Sequence, residues 1–139
     1  MNFDEYAAHD ALGLAELVRK GEVSVAELEE TARRGIEAVN GTINAVVGDV
    51  PLAEGRQETS SDAVFHGVPF LLKDLAHGYA GVPCEMGSRM GVGYINSAES
   101  VYGTRCKASG LVAVGRTNTP EFGQSGTTEP VANGSTLNP

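Results

Sequence analysis

Two short apolar runs with a helix-length stretch between them constrain this chain more than any other feature. Val68-Pro69-Phe70-Leu71-Leu72 leads into Lys73, and Leu111-Val112-Ala113-Val114 leads into Gly115. Runs this short and continuous suit strands buried on both faces, and Pro69, with no N–H for a ladder, belongs at an edge or entry position. Between them, Ser97 to Ser109 has the length of a helix, and Gly110 stands where a left-handed residue would close it. Strand, helix, strand implies a parallel sheet. The predicted fold class is α/β, with N-terminal helices followed by part of a mixed, largely parallel sheet flanked by helices.

Upstream, Leu14, Leu17 and Val18 follow helical spacing between Asp10 and Lys20, with Gly21 as the stop. Ser24 with Glu27 forms a capping box, after which Val25, Leu28, Ala32, Ile36 and Val39 mark one face until Asn40-Gly41. The opposite face, Glu29, Glu30, Arg33, Arg34 and Glu37, is predicted to be solvated. Residues 1–41 thus form a helical N-terminal segment. Ile43 to Val47 is predicted to be a strand, Pro51 the start of a short helix, and residues 54–61 a surface connection.

Residues 77–97 contain five glycines and keep neither the period of a strand nor that of a helix. A long ordered loop is predicted, and such loops inside compact domains usually line a site.

Charge narrows the partners. With 10 Lys and Arg against 18 Asp and Glu the formal charge is -8, and the acidic residues are interspersed with basic ones, which disfavours nucleic acid and a polybasic membrane anchor. The N-terminus carries Asp4, Glu5, His9 and Asp10 where a secretory signal would be basic and then apolar, and Cys84 and Cys106 suit neither a disulfide scaffold nor a metal knuckle. A cytoplasmic protein without metal or cofactor is expected. G-x-S-x-G, Walker A and HExxH motifs do not occur.

Lys73 admits two readings. A lysine at a strand end ordinarily snorkels to water. Partly desolvated, it would accept a proton. His9, His66 and His77 form no constellation along the chain. Thr117-Asn118-Thr119-Pro120-Glu121-Phe122 and Gly126-Thr127-Thr128-Glu129-Pro130 read equally as a site or as a structural turn in which Thr119 caps a helix beginning at Pro120.

Four pieces in order then carry a resemblance: residues 67–74, Gly81-Val82-Pro83 with Gly87-Ser88, residues 115–122, and Thr128-Glu129 through Asn138-Pro139. Together they resemble the amidase signature family, and the N-terminal helices are more loosely similar to that family's opening. The resemblance implies that residues 1–139 are the N-terminal portion of a single amidase signature domain, an incomplete form of that fold. It implies amide hydrolysis through an acyl-enzyme, carried by a serine nucleophile, a bridging serine and a lysine that Lys73 matches. For the complete enzyme it further implies a low pKa for Lys73 through burial behind the 78–93 loop, with Asp74 a structural partner pointing away. Gly126, Thr127 and Thr128 are candidate substrate-binding residues.

The family's Gly/Ser-rich stretch, with both serines, follows the Asn-Pro that here is Asn138-Pro139. The implied partners are therefore a small-molecule amide and the remaining C-terminal portion of the domain, with a homo-oligomer left open. Arg116 stands where the family more often has lysine, and Cys84-Glu85 where it has paired threonines. The Thr127 to Pro139 stretch is similar to the family's cyclic-amide hydrolases that open aminohexanoate dimers, and aryl acylamidases are also close in motif. A non-catalytic binding or regulatory module of the same ancestry is the alternative. A nucleotide-binding domain is disfavoured because no glycine-rich phosphate loop joins a strand to a helix.

Overall fold

The chain opens with three helices, each closed by its own neighbours. The computed structural model describes residues 1–139 except 52–54 and 56–59. Helix α1, Phe3–Ala7, was not predicted; Asn2 and Glu5 cap it reciprocally. Helix α2, Ala11–Arg19, starts where Asp10 Oδ1 accepts the Gly13 N–H at 2.8 Å and is followed by Gly21 at φ 71°. Helix α3, Val25–Ile43, begins with the predicted box, in which the Glu27 N–H donates to Ser24 Oγ and Glu27 Oε2 accepts the Ser24 N–H. These hydrogen bonds hold the Glu27 carboxyl below its ordinary value.

Two features of α3 differ from the sequence reading. The helix runs past Asn40-Gly41 to Ile43, and Asn44 in the left-handed conformation (φ 50°) closes it. Asn40 fastens the chain beyond, its Oδ1 accepting the Ala45 and Val46 N–H groups at 2.8 and 2.7 Å, and a single glycine within a helix costs only about 1 kcal/mol. Glu29, placed on the solvated face, is buried with Leu28 and Thr31, whereas Val39 is 47% exposed. The C-terminal half of the apolar face instead borders an open groove of about 510 Å³, with Phe70, Leu71 and Val114 among its other walls.

The sheet has three strands in the order β1-β3-β2: β1 is Val46–Gly48, β2 Pro69–Lys73 and β3 Val112–Thr117. Strands β2 and β3 are parallel, Pro69 lying opposite Val112 and Lys73 opposite Thr117 with a one-residue shift between Phe70 and Leu71, while β1 pairs antiparallel to β3. The predicted strand from Ile43 therefore begins three residues later, because Ile43 belongs to the helix. Strand β3 passes through Gly115, the predicted end of the run, and continues to Thr117. Gly115 faces Leu71, and an added Cβ would press on Leu71 Cδ2 at 3.1 Å and Val46 Cγ1 at 3.2 Å, so the glycine serves packing within the strand. Helix α4, Val101–Ala108, lies between β2 and β3 in sequence, starting later than predicted at a Ser100 cap. The predicted helix after Pro51 and most of the 54–61 connection lie outside the described residues.

Two apolar clusters hold these elements. One joins Leu14, Ala15, Leu28 and Val68, seating α2 and α3 on the entry to β2; the other joins Val50, Leu72, Tyr79, Val82 and Ala113 beneath the loop. Burying a side chain such as Leu28 or Leu72 contributes about 1.5–3 kcal/mol. Among the described residues no helix is long and apolar enough to cross a membrane.

Candidate active site

The ends of β2 and β3 form one wall of a mouth. Along β2 the side chains alternate: Leu72 is buried, Lys73 is exposed, and Asp74 just beyond is fully buried. Asp74 Oδ1 accepts from Arg116 Nη1 at 2.6 Å and from the Glu85 N–H at 3.0 Å, so it is a structural partner turned into the protein. Among the described residues Lys73 makes no ion pair. The burial expected of Lys73 concerns the complete protein; in residues 1–139 its side chain is exposed. The loop covers Asp74 instead, because a carboxylate placed on the buried side of the strand end needs donors and the loop backbone supplies one.

Residues 77–97 form the ordered loop that was expected, with Pro83 bridging antiparallel to Ile95 and the Cys84 N–H donating to the Tyr94 carbonyl. His77 anchors its start. Its Nδ1 accepts the Tyr79 N–H at 3.1 Å, which leaves the proton on Nε2, 3.0 Å from the Pro83 carbonyl. Burial pushes the His77 pKa below its ordinary value and favours this neutral ring. Burial likewise pushes the Tyr79 phenol up. Asp74, His77 and Cys84 bring one potential metal-ligand atom each within 4.8 Å of one another. As arranged they fit a metal poorly, since both His77 nitrogens are engaged and Arg116 already neutralises Asp74.

Non-glycine residues at positive φ concentrate here: Ala76, Met86 and Phe122 line the mouth, and among the described residues Asn44 is the fourth. Such backbone is held only where its surroundings over-determine it. The Met86 N–H donates to the Asp74 carbonyl and the Phe122 N–H to the Met86 carbonyl, chaining strand end, loop and C-terminal segment.

Beyond β3, Thr119 does not cap a helix. It is fully buried with its hydroxyl on the Pro120 carbonyl, and Pro120 precedes a short 3-10 turn, Glu121–Gly123, that has no side-chain cap. The residue that organises this segment is Asn118, whose Nδ2 donates to the Gly134 carbonyl and to Thr136 Oγ1, both at 3.0 Å. Asn44 matches it from α3, donating to the Asn133 carbonyl at 2.8 Å. Of the candidate substrate-binding residues, Thr127 lines an open cavity of about 580 Å³ with Glu121, Gln124, Ser125 and Glu129, while Gly126 and Thr128 do not, nor does the candidate base Lys73. Thr128 instead pairs its carbonyl with the Thr136 N–H. The structure thus places Lys73 opposite Thr117, ties the neighbouring Asp74 to the loop, and puts Thr127 in a cavity that Lys73 does not line.

Sequence reasoning did not find the partners of Arg116, although a signal was present. An arginine inside the run Val112–Thr117 has to be buried, and buried arginines are paired.

Residues 27–139 match the amidase family, and the chain belongs to it. It is 42% identical over 135 residues to the 6-aminohexanoate-cyclic-dimer hydrolase of Paenarthrobacter ureafaciens, covering 94% of this chain and 27% of that protein. The solved structure of a 6-aminohexanoate cyclic dimer hydrolase complexed with substrate superposes with a TM-score of 0.85 at 39% identity, over 94% of this chain and 27% of that one. A bacterial aryl acylamidase of the amidase signature family superposes at 0.79 and 26% identity, over 94% and 29%. The chain therefore spans about a quarter of the length of the relatives it matches. The fold is that of the matching portion of these enzymes.

Proposed function

We propose that the complete protein hydrolyses a carboxamide C–N bond through a serine acyl-enzyme, with Lys73 as general base and both serines outside these 139 residues. The observation that carries this reading is the position of Lys73, exposed at the C-terminal end of β2 beside β3 in a chain of the amidase family. The neutral amine takes the nucleophile's proton through the bridging hydroxyl while the seryl oxygen adds to the carbonyl carbon. The proton then passes to the departing nitrogen as the C–N bond breaks, and water cleaves the resulting ester. A lysine that works as a base has to be neutral, which requires burial. In this reading residues 1–139 are the N-terminal portion of a single domain, and the rest of that domain covers Lys73 and the apolar groove between α3 and β2.

The relative at 42% identity directs the substrate search to cyclic and linear amides of short amino acids. Thr127 and its neighbours Gly126 and Thr128 form the candidate substrate wall. A cytoplasmic location accords with two free cysteines, Cys84 and Cys106, in the described structure. Oligomeric state follows from sizing the complete protein. Replacing Lys73 tests the base. In the complete protein Lys73→Met should lower turnover by about 10²- to 10⁴-fold. Lys73→Arg should be nearly as damaging, because a guanidinium cannot accept the proton. Near-native turnover in Lys73→Arg with loss in Lys73→Met would make the residue a fixed positive charge and refute the base.

A further inference from the structure

Three charges meet beneath the mouth without touching the exposed Lys73 side chain. Arg116 is 6% exposed in β3, opposite Leu72. Its Nη1 lies 2.6 Å from Asp74 Oδ1 and 3.5 Å from Glu85 Oε2. Asp74 is the residue after Lys73, and Glu85 lies in the loop. Each carboxylate is tied further: Asp74 Oδ1 to the Glu85 N–H at 3.0 Å, and Glu85 Oε1 to the Gly93 N–H at 2.9 Å. The Asp74 backbone adds two bonds, donating to the Thr117 carbonyl and accepting from the Met86 N–H. The guanidinium lies against Gly48 of β1, where an added Cβ would overlap it. One side chain therefore joins β1, β2, β3 and the loop around the residue that follows Lys73.

The pair is not optimised for stability. Asp74 Oδ2 and Arg116 Nε are buried without hydrogen-bond partners among the described residues. A buried ion pair left partly unsatisfied contributes little compared with apolar side chains of the same volume, so a geometric role accounts for it better.

We propose that Arg116 is a positioning residue for Lys73: by holding Asp74 and Glu85 together it fixes the end of β2 and the loop above it, and it occupies the neighbouring carboxylate so that Asp74 does not turn to the lysine amine. This rests on the reading of Lys73 as the base. Arg116 touches no substrate in this scheme and acts through Asp74.

The test uses the complete protein and two independent readouts, steady-state kinetics on an aminohexanoate amide and hydrogen exchange of the loop amides. Arg116→Met should lower kcat by about 10²-fold, the scale of a small misplacement of a reacting group, with KM nearly unchanged. It should also speed exchange at Glu85, Met86 and Gly93 while Leu28 stays protected. Arg116→Lys, which keeps a charge for Asp74 but not the fork, should recover most of kcat. Glu85→Ala leaves the Asp74 pair intact, so it should speed exchange at Gly93 and lower kcat less than Arg116→Met. It also serves as the test should Arg116→Met fail to fold. Unchanged kcat in Arg116→Met, equal losses in the lysine and methionine variants, or unchanged exchange at Gly93 in Glu85→Ala would overturn the proposal. Lys73→Met run in parallel separates the two readings: activity surviving there refutes the base, whereas its loss together with an inert Arg116→Met refutes only the positioning role.

Discussion

Helices α2 and α3 seat on β2 through Leu14, Ala15, Leu28 and Val68, and Ser24 and Glu27, three residues apart, close the start of α3. The mouth beyond Lys73 is held by Arg116 reaching Asp74 across 42 residues and Asn44 reaching Asn133 across 89. In the first region local signals start the elements and non-directional burial joins them. In the second, directional polar groups close loops that have no regular structure of their own. The two therefore fail differently. Removing an apolar side chain leaves a cavity its neighbours partly fill, whereas removing one member of a buried charge pair leaves the other without compensation.

Arg116→Met should break the comparison most severely, at about 3–5 kcal/mol, because Asp74 is fully buried. Urea unfolding of the complete protein measures it, and a loss below about 1 kcal/mol would show that the mouth does not depend on charge pairing. Leu28→Ala should follow at about 2–5 kcal/mol and leave exchange at Glu85 and Met86 unaltered, since the two clusters share no residue. Faster exchange there would join the regions into one unit.

Gly48→Ala sharpens the contrast. The new Cβ would overlap the Arg116 guanidinium, at a cost of about 1–3 kcal/mol. That cost should largely vanish in an Arg116→Met background, which a double-mutant cycle reads directly. Ser24→Ala should cost about 1 kcal/mol, the value of one helix cap, in a thermal unfolding series.

The smallest effect concerns pH. Burial lowers the His77 pKa below 6.5, so between the folded value and 6.5 the unfolded chain binds the extra proton. The stability contribution of neutral His77 is complete above 6.5 and is lost as pH falls toward the folded value. His77→Gln should remove that slope, and an unchanged slope would assign it to other groups.

Much of this architecture was legible along the chain because its signals are local. The Ser24–Glu27 box and the left-handed Gly21 marked helix ends by chemistry confined to one turn. Continuous apolar runs marked β2 and β3, and their parallel pairing followed from the helix between them. The placement of Lys73 at a strand end was readable for the same reason. Even there, boundaries moved where a distant contact intervened: Gly115 reads as a stop until Leu71 and Val46 are seen to press on it, and Gly41 reads as a stop until Asn40 is seen to hold the backbone beyond the helix.

By itself the sequence determined α2, α3, α4, β2 and β3, their order and the family, because capping, periodicity and motif spacing act over a few residues. Only the tertiary structure decided which carboxylates Arg116 meets, that Asn118 ties the C-terminal segment, and that Thr119 is buried instead of capping a helix. The physical reason is that a buried polar group must find a partner, but its chemistry does not state where along the chain that partner lies. Any of 18 acidic residues could have answered Arg116, and the parallel register of β2 against β3 selected Asp74.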